Sequence, residues 1–266
     1  MNTILPRAKQ FLEQGLSVIP VSGNLKLERF CPYTIAGKKC CATHSQCTYS
    51  ETNECYDVNI PSTHESSGVP GTDYILYVTG RPTQGSTIAW AASCRKDQHK
   101  RPIAGQANFG PNRINPQADI EEQVSTAIHE MLHALGWSNS HFEFFTKPNG
   151  DSYPGGPLQT FYQNGKQVTK LVTPKAIQAV KEHAECASFD NEGVELEDHG
   201  GSGTAGPHLE KRLFMNEVMT GTSSNDPTYS RISLAILEDS GWYQINYAGT
   251  KTLKYGNKMG CDYLVR

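Results

Sequence analysis

At 266 residues, with 37% hydrophobic and 19% charged content, the chain is long enough for one large domain or two modest ones with a real core. A formal charge of −3 argues against the basic surface that nucleic acid demands, and no apolar run reaches the ~18 residues of a membrane-spanning helix. Gly (24) and Pro (15) are frequent enough to predict many turns and long loops rather than a helical bundle.

In chain order, residues 5–14 read as a helix and "LSVIPV" (16–21) as a short strand. Arg7, Lys9, Gln10 and Glu13 interrupt what a signal peptide needs to be an unbroken apolar stretch, so Met1 is read as the start of a fragment or a recombinant piece. The cysteine-rich stretch 31–55 has little periodicity and reads as loop held by cross-links. "DYILYVTGRP" (73–82) and "STIAWAAS" (86–93) are β-rich runs bounded by turn residues, and "RPIAGQANFGP" (101–111) is a weaker strand candidate.

A helix should follow. Asp119 with Glu122 resembles a capping box, and Val124, Ala127, Ile128, Met131 and Leu135 recur at helical spacing as a buried stripe. Gly136 is placed to end that helix in a left-handed cap. Residues 137–172 are polar, aromatic and turn-rich. A second helix is expected from Thr173, as N-cap before Pro174, to about Ala184. A glycine-rich loop (197–208) and a closing helix within 229–241 complete the chain. The implied organisation is an N-terminal part, 1–136, and a C-terminal part, 137–266, with the site in a cleft between them.

The eight cysteines, at 31, 40, 41, 47, 55, 94, 186 and 261, contain no C-x-x-C pair. Free buried thiols and a structural metal bound with His44 are alternatives, but disulfides formed in an oxidising compartment are the favoured reading. No N-x-[ST] sequon adds support for secretion.

The chemistry is concentrated in "HEMLHALGWSN" (129–139). On a helix, residues four apart share a face, so His129 and His133 can offer two imidazoles to one zinc ion. Glu130 stands where its carboxylate can serve as general base, which makes H-E-x-x-H a zinc-protease pattern. Two surface histidines on an amphipathic helix would be the bland alternative, but the apolar stripe and the glycine stop weigh against it. The compact form of the motif puts a third histidine three residues after the glycine, where this chain has Asn139. A neutral amide is a poor zinc ligand, so a third donor must come from His141, His183, His199 or His208, or from a carboxylate such as Glu182, Glu185 or Glu238.

"FMNEVMTG" (214–221) separates these candidates, because in metzincins a methionine in a tight turn lies beneath the three imidazoles. With "DYILYVTGRPT", "AWAASCRKDQHKRPIAGQANF", "STAIHEMLHALGW" and "ELEDHGGSGTAGPHLEKR", the chain resembles the leishmanolysins, surface zinc proteases of trypanosomatids with relatives in ciliates and animals. The resemblance runs from "LSVIPVSGNL" to "GCDYL".

It implies an α+β metzincin-like zincin, with a twisted sheet and active-site helix in the N-terminal half and a loop-rich C-terminal half bearing the Met-turn and a helix. It implies one catalytic Zn2+ held by His129, His133 and His208, with residues 137–207 an insertion before the third ligand and Met219 in the Met-turn. His199 is not a ligand on this likeness. Cys186 would pair with Cys261 and Cys55 with Cys94, leaving Cys31, Cys40, Cys41 and Cys47 for two further bridges. Leu209 departs from the family, whose members often carry an aromatic residue there. A secretory signal, an inhibitory pro-segment and a cysteine-rich C-terminal domain are family features not recognised in this sequence.

The expected activity is that of a zinc metalloendopeptidase on protein or peptide substrates, with Glu130 as the catalytic base, in a monomer that is extracellular or at the cell surface. Tyr229 is set aside as a packing residue rather than a substrate contact. The competing reading is a leishmanolysin-like adhesion or binding protein that keeps the fold without the activity.

Overall fold

The computed structural model describes residues 1–27, 33–35, 38–40, 54–115, 117, 119–163, 165–189, 192–201 and 203–264. The chain opens with helix α1 (Ile4–Gly15), which buries Ile4, Ala8, Leu12 and Gly15 along one stripe and packs on the later helix Ile120–Ala134. Strand β1 covers Leu16–Ser17 alone and is shorter than the expected 16–21, with Ile19 already exposed. Two hairpins follow, β2 (Tyr33–Ile35) with β3 (Lys38–Cys40) and β4 (Glu54–Cys55) with β5 (Val58–Asn59), and then the short helix α2 (Ser62–Ser66).

The main sheet holds β6 (Ile75–Thr79), β7 (Ala89–Lys96) and β8 (Pro102–Phe109) in the order β6-β8-β7. β8 runs parallel to β6 and antiparallel to β7. The strand expected to be weakest is thus the central one, buried at every position. Its polar residues obscure the pattern but are satisfied internally, because Asn108 accepts from the Thr79 hydroxyl and the Arg81 N–H, each at 2.9 Å. The β7–β8 register slips between Ser93 and Arg95, which leaves Cys94 without a Cα partner. Such a bulge re-aims its side chain, and Cys94 bonds to Cys55.

α3 (Ile120–Ala134) packs against β7, β8 and α1, burying Val124, Ala127, Ile128 and Met131 as expected, whereas Leu135, expected in the same stripe, is the C-cap and only half-buried. Asp119 caps it by accepting from the Glu121 N–H at 2.7 Å. Its last carbonyls are closed by tyrosines, Tyr74 donating to Ala134 at 2.9 Å and Tyr243 to Leu135 at 2.8 Å. Gly136 then turns the chain at φ +119, in a spot where a β-carbon would strike the Trp242 ring.

The stretch 137–172 is more regular than predicted, with α4 (Asn139–Phe142) and a hairpin of β9 (Leu158–Gln163) and β10 (Lys166–Leu171). α5 (Pro174–Ala184) has the predicted ends, but Thr173 makes no side-chain cap. Asp239 does that work, accepting from the N–H groups of Lys175 at 3.1 Å and Ala176 at 2.8 Å. β11 (Val194–Glu195) joins β10, and α6 (Lys211–Phe214) and α7 (Arg231–Glu238) follow. β12 (Gln244–Ile245) returns to pair with β1, Leu16 opposite Ile245 and Ser17 opposite Gln244. The terminal helix α8 (Cys261–Leu264) is tied to the end of α5 by Cys186–Cys261. The mixed α+β class is as expected, and so are both disulfides predicted among the described cysteines. Cys31, Cys41 and Cys47, three of the four cysteines expected to form two further bridges with Cys40, lie outside the described residues.

Candidate metal centre

His129 and His133 stand one turn apart on α3, and the loop after β11 brings His208 to them. His133 Nε2 lies 3.0 Å from His129 Nε2 and 3.1 Å from His208 Nε2, and the third side, His208 to His129, is 3.1 Å. Every one of these rings is fixed from behind. His129 Nδ1 is 2.7 Å from the Val218 carbonyl, His133 Nδ1 is 2.7 Å from the Trp137 carbonyl, and His208 Nδ1 is 2.8 Å from the Thr204 carbonyl.

A carbonyl oxygen can only accept, so each Nδ1 carries the proton and donates it. A neutral imidazole has one N–H, which leaves all three Nε2 atoms as bare lone pairs facing each other. Burial keeps the rings neutral, lowering His129 to about 3, His133 well below its ordinary range and His208 in the same direction. Three convergent lone pairs repel one another unless a cation sits among them. Donor spacings of 3.0–3.1 Å approach the roughly 3.3 Å edge of a tetrahedron whose metal–nitrogen bonds are ~2.0–2.1 Å. The donor set therefore fits a zinc ion, with each imidazole held by a backbone carbonyl on its far nitrogen.

Glu130 follows His129 on α3 and is buried. Its carboxylate accepts from the Ala91 backbone, and its Oε2 is shielded from solvent with no protein partner. Desolvation raises its pKa to about 8. A nearby cation would oppose that shift and favour the ionised form.

The turn at residues 217–220 joins the first and third histidines. The Thr220 N–H closes it on the Glu217 carbonyl at 3.1 Å, and Met219 is fully buried inside it. Val218 O accepts from His129 Nδ1–H, while Met219 O accepts from the N–H of Leu209, next to His208, at 2.9 Å. Glu217 holds the turn itself, accepting from the Met219 N–H at 2.6 Å and the Ser230 hydroxyl at 3.0 Å. Sequence reasoning missed Glu217; its only signal was a charged residue two places before the methionine.

The other candidates are engaged elsewhere. Asn139 starts α4, and His141 is buried between Ser93 and Ser138, 2.7 Å from each hydroxyl. His183 bonds the Tyr255 carbonyl at 3.0 Å, and the exposed His199 sits 2.6 Å from Asp198. Glu182 accepts from Gln178, Glu185 pairs with Lys258, and Glu238 with Lys175. Tyr229 is buried with its ring 4.8 Å from Phe11, consistent with packing.

The leishmanolysin family model matches residues 1–266. The chain belongs to the leishmanolysin family. Members of that family are zinc metalloendopeptidases. Among similar proteins are a leishmanolysin-like peptidase of Drosophila melanogaster, 35% identical over 100% of this chain and 47% of the relative, and one of Caenorhabditis elegans, 32% identical over 100% and 48%. A leishmanolysin homolog of Crithidia fasciculata is 31% identical over 99% of this chain and 36% of the relative. The leishmanolysin region described here thus spans about half the length of the insect and nematode relatives. No helix among its described residues is long and apolar enough to cross a membrane.

Proposed function

We propose that the chain is the zinc-binding part of a metalloendopeptidase that hydrolyses peptide bonds of proteins, with His129, His133 and His208 as ligands and Glu130 as general base. The observation that carries this reading is the closed triangle of unprotonated Nε2 atoms, 3.0–3.1 Å on a side, with every Nδ1 committed to a carbonyl. A closed structural site has four protein ligands, whereas three leave a position open for chemistry. When bound, zinc supplies a Lewis acid that polarises the scissile carbonyl and acidifies water.

The protein's own groups do the rest. The Nδ1–H bonds keep the imidazoles oriented and their Nε2 lone pairs available. Glu130, with Oε2 uncommitted, takes the proton of the attacking water and delivers it to the departing amine. Its other partner, Ala91, belongs to β7, which among the described residues lies at the edge of its sheet. An edge strand offers unpaired backbone groups to an extended peptide, which supports a polypeptide substrate. A cleft dividing 1–136 from 137–266 at Gly136, and metzincin topology with Met219 in the Met-turn, belong to the same reading. The disulfides favour an extracellular or cell-surface setting.

The test is cleavage of casein by the oxidised, zinc-loaded protein, with and without a zinc chelator and beside Glu130→Ala. Activity lost in both controls supports the peptidase. Folded, zinc-loaded protein with no activity would favour the catalytically silent binding protein instead.

A further inference from the structure

Asn139 and Trp137 occupy the stretch where a compact motif would turn directly into its third histidine. Here that stretch receives the returning loop. The Trp137 indole N–H donates to the Pro207 carbonyl at 3.0 Å, immediately before His208. The Trp137 backbone carbonyl accepts from His133 Nδ1 at 2.7 Å. One fully buried residue therefore holds the second imidazole with its main chain and the third with its side chain. Gly206, at φ +94, completes the docking, because a β-carbon there would run into the Asn139 amide.

We infer that Trp137 is a positioning residue for the metal centre, coupling His133 to His208, which lies 71 positions further along the chain (208 − 137 = 71). This rests on the zinc-site reading above and adds a role that spacing does not suggest. The loop from 197 to 208 is rich in glycine, and the Thr204 carbonyl that holds the His208 ring belongs to the same loop. The bonds from Glu197 N–H to His208 O and from Leu209 N–H to Met219 O, each 2.9 Å, fix its main chain rather than its ring. The indole bond is the side-chain tie from that loop to the α3 scaffold, next to the ring that must be placed. Losing it leaves the zinc ligands chemically intact while letting the third one wander.

The experiment compares Trp137→Phe with Phe142→Leu in zinc competition against a chromophoric chelator, with cobalt substitution as the spectroscopic readout. Phe142 packs edge-on to Trp137 at 6.2 Å between ring centroids but makes no bond to the returning loop. Trp137→Phe should weaken zinc binding roughly 10–100-fold, the usual cost of losing an outer-shell partner, and should diminish the tetrahedral cobalt bands. Phe142→Leu should lower the melting temperature yet keep the parent's affinity. Equal zinc binding by Trp137→Phe and parent overturns the inference, and so does an equal loss in both variants.

Should Trp137→Phe not fold, the parent still decides. Its three tryptophan indole N–H signals can be assigned by Trp90→Phe and Trp242→Phe. The Trp137 indole should exchange at least about tenfold more slowly once zinc pins the loop; an unchanged rate overturns the inference. A parent that binds no zinc would instead sink the zinc-site reading itself.

Discussion

The candidate metal centre draws on two regions built by different rules. Helix α3 brings His129, Glu130 and His133 together by its own repeat, over an apolar stripe buried against the sheet and α1. The segment 204–220 brings His208 through loop backbone, held by Trp137 on one side and Glu217 on the other. In the first region helical pitch puts both imidazoles on one face, and only their ring orientation waits for the Val218 and Trp137 carbonyls. In the second it follows from long-range hydrogen bonds, each worth about 1 kcal/mol net. The helix should therefore carry the chemistry robustly, and the returning segment should set metal affinity.

The sharpest separation of the two comes from Glu130→Gln. It touches neither the three imidazoles nor their carbonyls, so zinc affinity should stay within a few-fold of the parent. Peptidase turnover should fall about 10²–10⁴-fold, the range for a lost general base. Retained turnover would remove Glu130 from the chemistry.

His208→Ala attacks the other region. Apparent zinc binding of about 10–16 kcal/mol across four ligands suggests roughly 10²–10³-fold weaker binding when one is removed. Competition titration measures it. Unchanged affinity would favour a carboxylate ligand, although Glu182, Glu185 and Glu238 are all paired elsewhere.

The same division explains what sequence could reveal. Helices α1, α3, α5 and α7 were legible because their apolar spacing and end signals are local. β8 read as weak because Gln106 and Asn108 interrupt its apolar run, and only the folded sheet supplies their partners, Thr79 and Arg81. The β9–β10 hairpin was overlooked although Asn164-Gly165 is a strong two-residue turn signal. His129 and His133 followed from helical pitch. His208 did not, because no spacing rule reaches across 75 residues (208 − 133 = 75); family likeness proposed it and the fold brings it within 3.1 Å of both. Trp137 and Glu217 were invisible for the same reason, since their roles depend on contacts distant in sequence.

The disulfide between Cys186 and Cys261 encloses the whole returning segment, with a sequence separation of 75. Chain-entropy arguments put its contribution at ~4 kcal/mol. The Cys186→Ser/Cys261→Ser protein should lose about that much stability in urea unfolding. Its zinc affinity should fall as well, because the loosened segment contains His208. Lost stability with unchanged affinity would mean that the turn and Trp137 hold His208 without help from the bridge.

The smallest effect expected is the most specific to the turn. Burial raises the Glu217 carboxyl to about 7, above its ordinary 4.5. A group with a raised folded pKa contributes stability below its unfolded value and loses it as pH rises through the folded one, here between about 4.5 and 7. The metal-free imidazoles work in the opposite sense. His129 is lowered from 6.5 to about 3, so its contribution is present above 6.5 and lost on acidification. Glu217→Gln keeps the side-chain shape but cannot offer acceptors to both Met219 and Ser230, so it should cost ~1 kcal/mol at pH 5. The gap to the parent should narrow by pH 8, where the parent bears an ionised buried carboxylate and the variant does not. Urea unfolding of the zinc-free proteins at both pH values measures it. A gap that stays constant would show that Glu217 is already ionised at pH 5, with its N–H and hydroxyl donors outweighing burial. The turn would then be held by a charged clamp rather than a neutral one.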